Sequence, residues 1–251
     1  MKNVLIYNKI DAKPRWSDDE LFNSFRAQID NSLNRGWKKE DLILGTNFDF
    51  EHKGIKNIEL FDICTENPFC NKFYGILELM KSGVLNDDIW FHDQDAWQLH
   101  DDLNFPTFDG EIGGCTYVFT PEWNTCSLFF KKTSIDIVDY IVDFMKMNLE
   151  YLQNVQSDEN AIALLRQNSE IKNYLTTINN QYNVGRTRME YRYNAANKPI
   201  FVGGFVPSVP DSVRVFNGED NDMGINLIDD ILDDVFKAYF EEYRDMGVGV
   251  G

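Results

Sequence analysis

The sequence predicts an α/β fold: a mostly parallel, Rossmann-like central sheet with flanking helices and a helical C-terminal part. Three observations carry that expectation. Strand and helix patterns alternate as β-α-β-β-α-β through the first half of the chain. Two segments with polar, ligand-type residues, 8–16 and 93–95, follow directly on strands, where open α/β sheets receive their ligands. Finally, 251 residues with 43% hydrophobic and 14% aromatic content suffice for one large core.

The elements follow in order. Residues 2–10, KNVLIYNKI, read as a strand that opens into a polar loop with Pro14, Arg15 and Trp16. Ser17 suits an N-cap, and the three acids after it suit the positive end of a helix dipole. A helix over Asp18–Asn34 gathers Leu21, Phe22, Phe25, Ile29 and Leu33 on one face, and Gly36 stops it. Residues 41–48 and 55–60 read as the next two strands, 71–81 as a helix, and 88–92 (DIWFH) as the fourth strand. In the second half, 115–119 and 125–131 look like strands. Residues 134–152 form one long amphipathic helix, and Ser157 starts another. Residues 199–206 and 212–216 read as strands, and 225–240 as a closing acidic amphipathic helix. The chain is expected to be a single domain with two halves, 1–130 and 131–251.

Composition narrows the function classes. The formal charge of −17 argues against a basic coat for nonspecific nucleic-acid binding. No apolar run approaches the roughly 20 residues that span a bilayer, so no membrane partner is expected. The short apolar run at residues 4–7 reads as a strand, not a signal peptide, so a cytoplasmic location is expected. Cys64, Cys70, Cys115 and Cys126 form no CxxC pair and are expected as reduced, buried thiols.

The most informative stretch is Ile89-Trp90-Phe91-His92-Asp93-Gln94-Asp95-Ala96-Trp97, an apolar strand running into two carboxylates one residue apart. Extended backbone points Asp93 and Asp95 to the same side. Two hard oxygen ligands there suit Mg²⁺ or Mn²⁺, with positions left for phosphate oxygens. Aspartates in an ordinary loop after a strand are the plain alternative.

This motif, set behind an N-terminal strand and polar loop, resembles the GT-A glycosyltransferases. YNKID near the start, the block QIDNSLNRGWKKEDLILGTNFDF and WFHDQDAWQ are together similar to a group of glycosyltransferases encoded largely by bacteriophages. The resemblance implies a nucleoside-diphosphate sugar donor, in the first instance a UDP-sugar, with Mn²⁺ or Mg²⁺. It implies that Tyr7, Asn8, Lys9 and Arg15 lie against the nucleotide, and that Asp93 and Asp95 hold the metal and diphosphate. It makes Lys72, at the start of the helix before the fourth strand, a donor contact; a solvated surface lysine is the alternative.

In inverting relatives a carboxylate in the place of Asp158-Glu159 takes the acceptor's proton, although helix capping by Ser157-Asp158-Glu159 explains these residues as well. Many GT-A enzymes take a third metal ligand from a C-terminal histidine. This chain has only His52, His92 and His100, so an oxygen of Asn217, Asp220 or Asp222 in the loop FNGEDND, or water, is the candidate substitute. His92 suits a satisfied strand-end histidine.

Gly113-Gly114, ahead of the strand at Cys115, permit positive φ and close backbone approach to a sugar; a tight turn is the other reading. Arg186, Arg188, Arg192 and Lys198, interleaved with Tyr191 and Tyr193, suit phosphate contact or pairing with the chain's acids. The phage-type resemblance raises a hydroxymethylated or already glycosylated pyrimidine in DNA as acceptor, reached through this cluster. A surface glycan is the alternative. The rival classes are a nucleotidyltransferase, whose Gly-rich loop NKIDAKPRW lacks, and a catalytically silent binding module.

Overall fold

The structure, a computed structural model, describes residues 1–10, 18–94, 96–98, 103–116, 121–155, 158–179, 182–183 and 201–202. Arg15, Asp95, Ser157, Arg186, Arg188, Arg192, Lys198, Asn217 and the predicted elements at 212–216 and 225–240 lie outside the described residues.

Strand β1 (Lys2–Tyr7) is followed by helix α1 (Asp18–Asn34), β2 (Leu42–Thr46), β3 (Glu51–His52), β4 (Ile55–Lys56), β5 (Ile58–Glu59) and helix α2 (Asn71–Lys81). Then come β6 (Ile89–His92), β7 (Trp97–Gln98), β8 (Ile112–Thr116), β9 (Trp123–Phe130), α3 (Ile135–Met147), α4 (Leu149–Val155), α5 (Asp158–Asn168), β10 (Leu175–Thr177) and β11 (Phe201–Val202). The main sheet has seven strands in the order β10-β8-β9-β6-β1-β2-β5. Its pairings are parallel except where β9 lies antiparallel to β6 and β8. β1 therefore sits between β2 and β6, so successive connections leave it in opposite directions. The carboxyl ends of β1 and β6 border the resulting switch point.

The central strands are covered on both faces, hence their continuous apolar runs. Val4, Ile6, Ile89, Phe91, Leu128 and Phe130 join α2, α3 and α5 in one core cluster. Their alternates Leu5, Trp90 and Phe129 join Leu21, Phe25 and Ile29 of α1 in the other. Helix α1 closes with Gly36 at φ +90° and a Trp37 N–H to Ser32 carbonyl bond of 3.1 Å, a left-handed cap that only glycine adopts without strain.

The structure departs from the sequence expectation at three places. The strand at 55–60 is divided at Asn57, because β4 turns back on β3 through Lys53 and Gly54, both at positive φ. The helix over 134–152 is broken at Asn148, whose side-chain amide donates to the Phe144 carbonyl at 2.7 Å and so competes with the backbone ladder. Gly113 and Gly114 lie inside β8, without positive φ. The four cysteines are buried free thiols, and among the described residues no helix is long and apolar enough to cross a membrane.

Candidate active site at the carboxyl edge of the sheet

Lys72 organises the site. The start of α2 is pinned by Asn71, whose Oδ1 accepts from the Cys64 N–H at 2.7 Å while its Nδ2 donates to the Cys64 carbonyl at 3.2 Å. That lock aims Lys72 across the sheet edge, its ammonium 5.5 Å from the centroid of the Phe91 ring. The side chain is only 8% exposed, and its Nζ lies 3.1 Å from Asp93 Oδ1 and 3.1 Å from Asp158 Oδ2. It also lies within 3.3 Å of the Thr125 carbonyl and 3.4 Å of the Thr125 hydroxyl. Burial pulls the ammonium's pKa down, but Asp158 and then Asp93 more than offset it, holding the group well above an ordinary lysine.

Asp158 opens α5 and is 3% exposed. Its carboxylate accepts from the Thr125 hydroxyl as well as from Lys72. Glu159, the next residue, is half-buried and accepts from the Thr125 N–H at 3.3 Å. Asp93 is 31% exposed and so meets solvent. One ammonium thus lies between the carboxylates of Asp93 and Asp158, with Glu159 beside them on the Thr125 N–H. Asp93, whose carboxylate meets solvent at the end of β6, offers one hard oxygen donor of the kind a divalent cation takes. Among the described residues no group of three or more His, Cys, Asp or Glu is placed to hold a metal ion. The remainder of a ligand shell would have to come from Asp95, Asn217, substrate or water.

The other sequence candidates are placed as follows. Tyr7 ends β1, its ring edge-on to Phe25 and Phe48 at 6.3 and 6.5 Å. Asn8 follows it, buried, and neither Nδ2 nor Oδ1 of its amide has a partner among the described residues. Lys9 is tied to Asn47 through its backbone N–H and carbonyl, at 2.7 and 2.9 Å, and its ammonium pairs with Asp18. Gly113 and Gly114 do not open onto a cleft. The space a side chain would take is filled by Phe108 and Ile178 at Gly113 and by the Trp123 ring at Gly114. His92 is a buried neutral imidazole, pulled down to about 4 by desolvation, and its Nδ1 donates to the Asp93 carbonyl at 3.1 Å.

Sequence reading missed Thr125 and Gln28. Nothing distinguishes Thr125 from other polar residues of a strand. Gln28 carried a usable signal: it lies three residues after Phe25 and seven after Leu21, a polar side chain in register with the buried stripe of α1.

The mostly parallel sheet with its flanking helices matches the GT-A fold of solved glycosyltransferases. No protein-family model matches the chain, and no curated protein matches it in sequence. Similar solved structures are glycosyltransferases. GlyE of Streptococcus pneumoniae TIGR4 shares 12% identity over 98% of this chain, with a TM-score of 0.57. This chain spans 64% of GlyE's length. The galactosyltransferase LgtC, solved with donor and acceptor sugar analogues, shares 10% over 95% of this chain and all of its own, with a TM-score of 0.52. A glycosyltransferase involved in glycosylation of the major capsid of PBCV-1 shares 9% over 81% of this chain and 92% of its own, at 0.50. At these identities the likeness is one of fold.

Proposed function

We propose that the chain transfers a sugar from a nucleoside-diphosphate donor, a UDP-sugar in the first instance, to an acceptor hydroxyl. The observation that carries this is the meeting of Asp93, Asp158 and Lys72 at the switch point of a GT-A sheet. Asp93 and Asp95, with Asn217 as a further oxygen ligand, would hold Mn²⁺ or Mg²⁺. That cation supplies neutralisation of the charge that grows on the departing diphosphate.

The remaining roles fall to side chains. Tyr7, Asn8, Lys9 and Arg15 border the nucleotide, and the unsatisfied Asn8 amide offers both a donor and an acceptor to the base. Lys72 anchors the buried Asp158 and orders Asp93. Asp158 or Glu159 accepts the proton of the acceptor hydroxyl, and the lesser burial of Glu159 favours it for that role. The new bond forms between the acceptor oxygen and the anomeric carbon. The carbon–oxygen bond to the diphosphate breaks, and its electron pair leaves with the diphosphate.

A glycan hydroxyl suits the acceptor better than DNA does, because the net charge of −17 repels a polyanion. A modified pyrimidine in DNA would have to be held through Arg186, Arg188, Arg192 and Lys198. Donor hydrolysis with UDP-sugars tests the reading: activity should vanish in Asp93→Asn and in Asp95→Ala. Unchanged hydrolysis in both would reject it. Transfer to hydroxymethylated DNA but to no glycan would assign the acceptor to DNA.

A further inference from the structure

We propose that Gln28 is a positioning residue for the acidic turn that follows β6; this rests on the reading that the turn holds a divalent cation. Gln28 lies on the buried face of α1 and is 0% exposed. Its single Nε2 donates twice, to the Gln94 carbonyl at 2.6 Å and to the Ala96 carbonyl at 2.8 Å. Those are the two carbonyls flanking residue 95. The same turn is closed by the Ala96 N–H to the Asp93 carbonyl at 3.1 Å and tied to β9 by the Asp93 N–H to the Cys126 carbonyl at 2.9 Å. One carboxamide thus fixes the carbonyls from the α1 side while β9 fixes the first residue from the other.

Packing does not explain a glutamine here. An apolar side chain would fill the same space, and the Oε1 of Gln28 finds no partner among the described residues. A buried amide with an unsatisfied oxygen is costly, so its compensation lies in what the nitrogen holds. The carbonyls of Gln94 and Ala96 are directed at α1, and both hydrogens of the amide are used on them. One turn on, Asn31 donates to the Gln98 carbonyl at 3.2 Å, and the Trp37 indole donates to Gln98 Oε1 at 2.8 Å. The strap therefore continues along the segment; of these three α1-side groups Gln28 is the one on the turn itself, whose Asp93 carbonyl is held from within the strand by His92. Outer-shell partners of this kind set ligand direction, and losing one weakens metal affinity about 10–100-fold.

The test is Mn²⁺ affinity in the presence of UDP, read by electron paramagnetic resonance of free Mn²⁺ on the full chain. Gln28→Met keeps length and volume but loses both donors; Gln28→Glu keeps shape and sets a carboxylate against two carbonyl oxygens. Asn3→Ala is the control: it deletes another buried amide bond to α1, Asn3 Nδ2 to Ser32 Oγ at 3.2 Å, away from the turn. Gln28→Met should bind Mn²⁺ about 10–100-fold more weakly than wild type, Gln28→Glu more weakly still, and Asn3→Ala as wild type at an equal or larger loss of melting temperature. Wild-type affinity in whichever Gln28 variant folds would overturn the proposal, as would equal weakening in Asn3→Ala. Absence of Mn²⁺ binding by the wild type with UDP would overturn the metal reading, and this proposal with it.

Discussion

Where α2, α3 and α5 cover the sheet, Val4, Ile6, Phe91, Leu128 and Phe130 meet Phe73, Ile76, Ile141 and Val142, and carbon touches carbon. Where α1 covers it, Leu5, Trp90 and Phe129 share the interior with Gln28 and Asn31, buried amides whose nitrogens reach across to residues 94–98. The first face can exchange one apolar side chain for another of similar volume at modest cost. The second cannot, because each amide answers a particular carbonyl. Both faces carry an apolar core, and the α1 face adds amides that hold the segment after β6. Lys72 crosses between the faces at the carboxyl edge.

Breaking that crossing should have the largest effect. Lys72→Met leaves Asp158 buried without its cation, and removing one partner of a buried pair costs about 3–5 kcal/mol. Chemical denaturation should register that loss, and donor hydrolysis should fall by at least about 100-fold, the scale of a lost electrostatic contact. A stable, active Lys72→Met would mean that the ammonium is incidental.

On the apolar face Ile141→Ala should cost about 2–5 kcal/mol by urea unfolding while leaving the Km for donor unchanged. A shifted Km would show that the apolar face also sets the geometry of the site. Gly114→Ala tests β8 directly. A methyl there runs into the Trp123 ring, and overpacking should cost about 1–3 kcal/mol in thermal unfolding. The smallest effect is expected from Trp37→Phe, which deletes one hydrogen bond to Gln98 and should cost about 0.5–1.5 kcal/mol. It should weaken Mn²⁺ binding far less than Gln28→Met, since Gln98 lies beyond the turn.

The legible parts of the fold were those with a local period. The bounds of α1 were readable because apolar spacing, an acidic first turn and Gly36 all agree, and those of α2 from its apolar spacing. The hairpin of β3 and β4 was not, because two-residue strands carry no period. The break at Asn148 depends on one side chain choosing a backbone carbonyl over solvent. Gly113 and Gly114 look like a turn in sequence, yet they serve as room for Trp123, Phe108 and Ile178, which no local pattern announces.

At the site, Lys72, Asp93 and Asp158 were each individually suspect, but their meeting is a property of the sheet order. β6 must lie beside β1, and α5 must return over β9, before residues so far apart can share one ammonium. Thr125 was invisible for the same reason. Gln28 was legible in principle, as a polar residue where the helix period calls for carbon.

Calorimetric titration of UDP into the wild-type chain, with Mn²⁺ and then with the metal removed by chelation, tests the central claim most directly when repeated on Asp93→Asn. Binding should require the metal and should weaken at least about tenfold in the variant, the scale on which ligand and outer-shell losses act. Equal affinity for UDP in all three titrations would contradict the account.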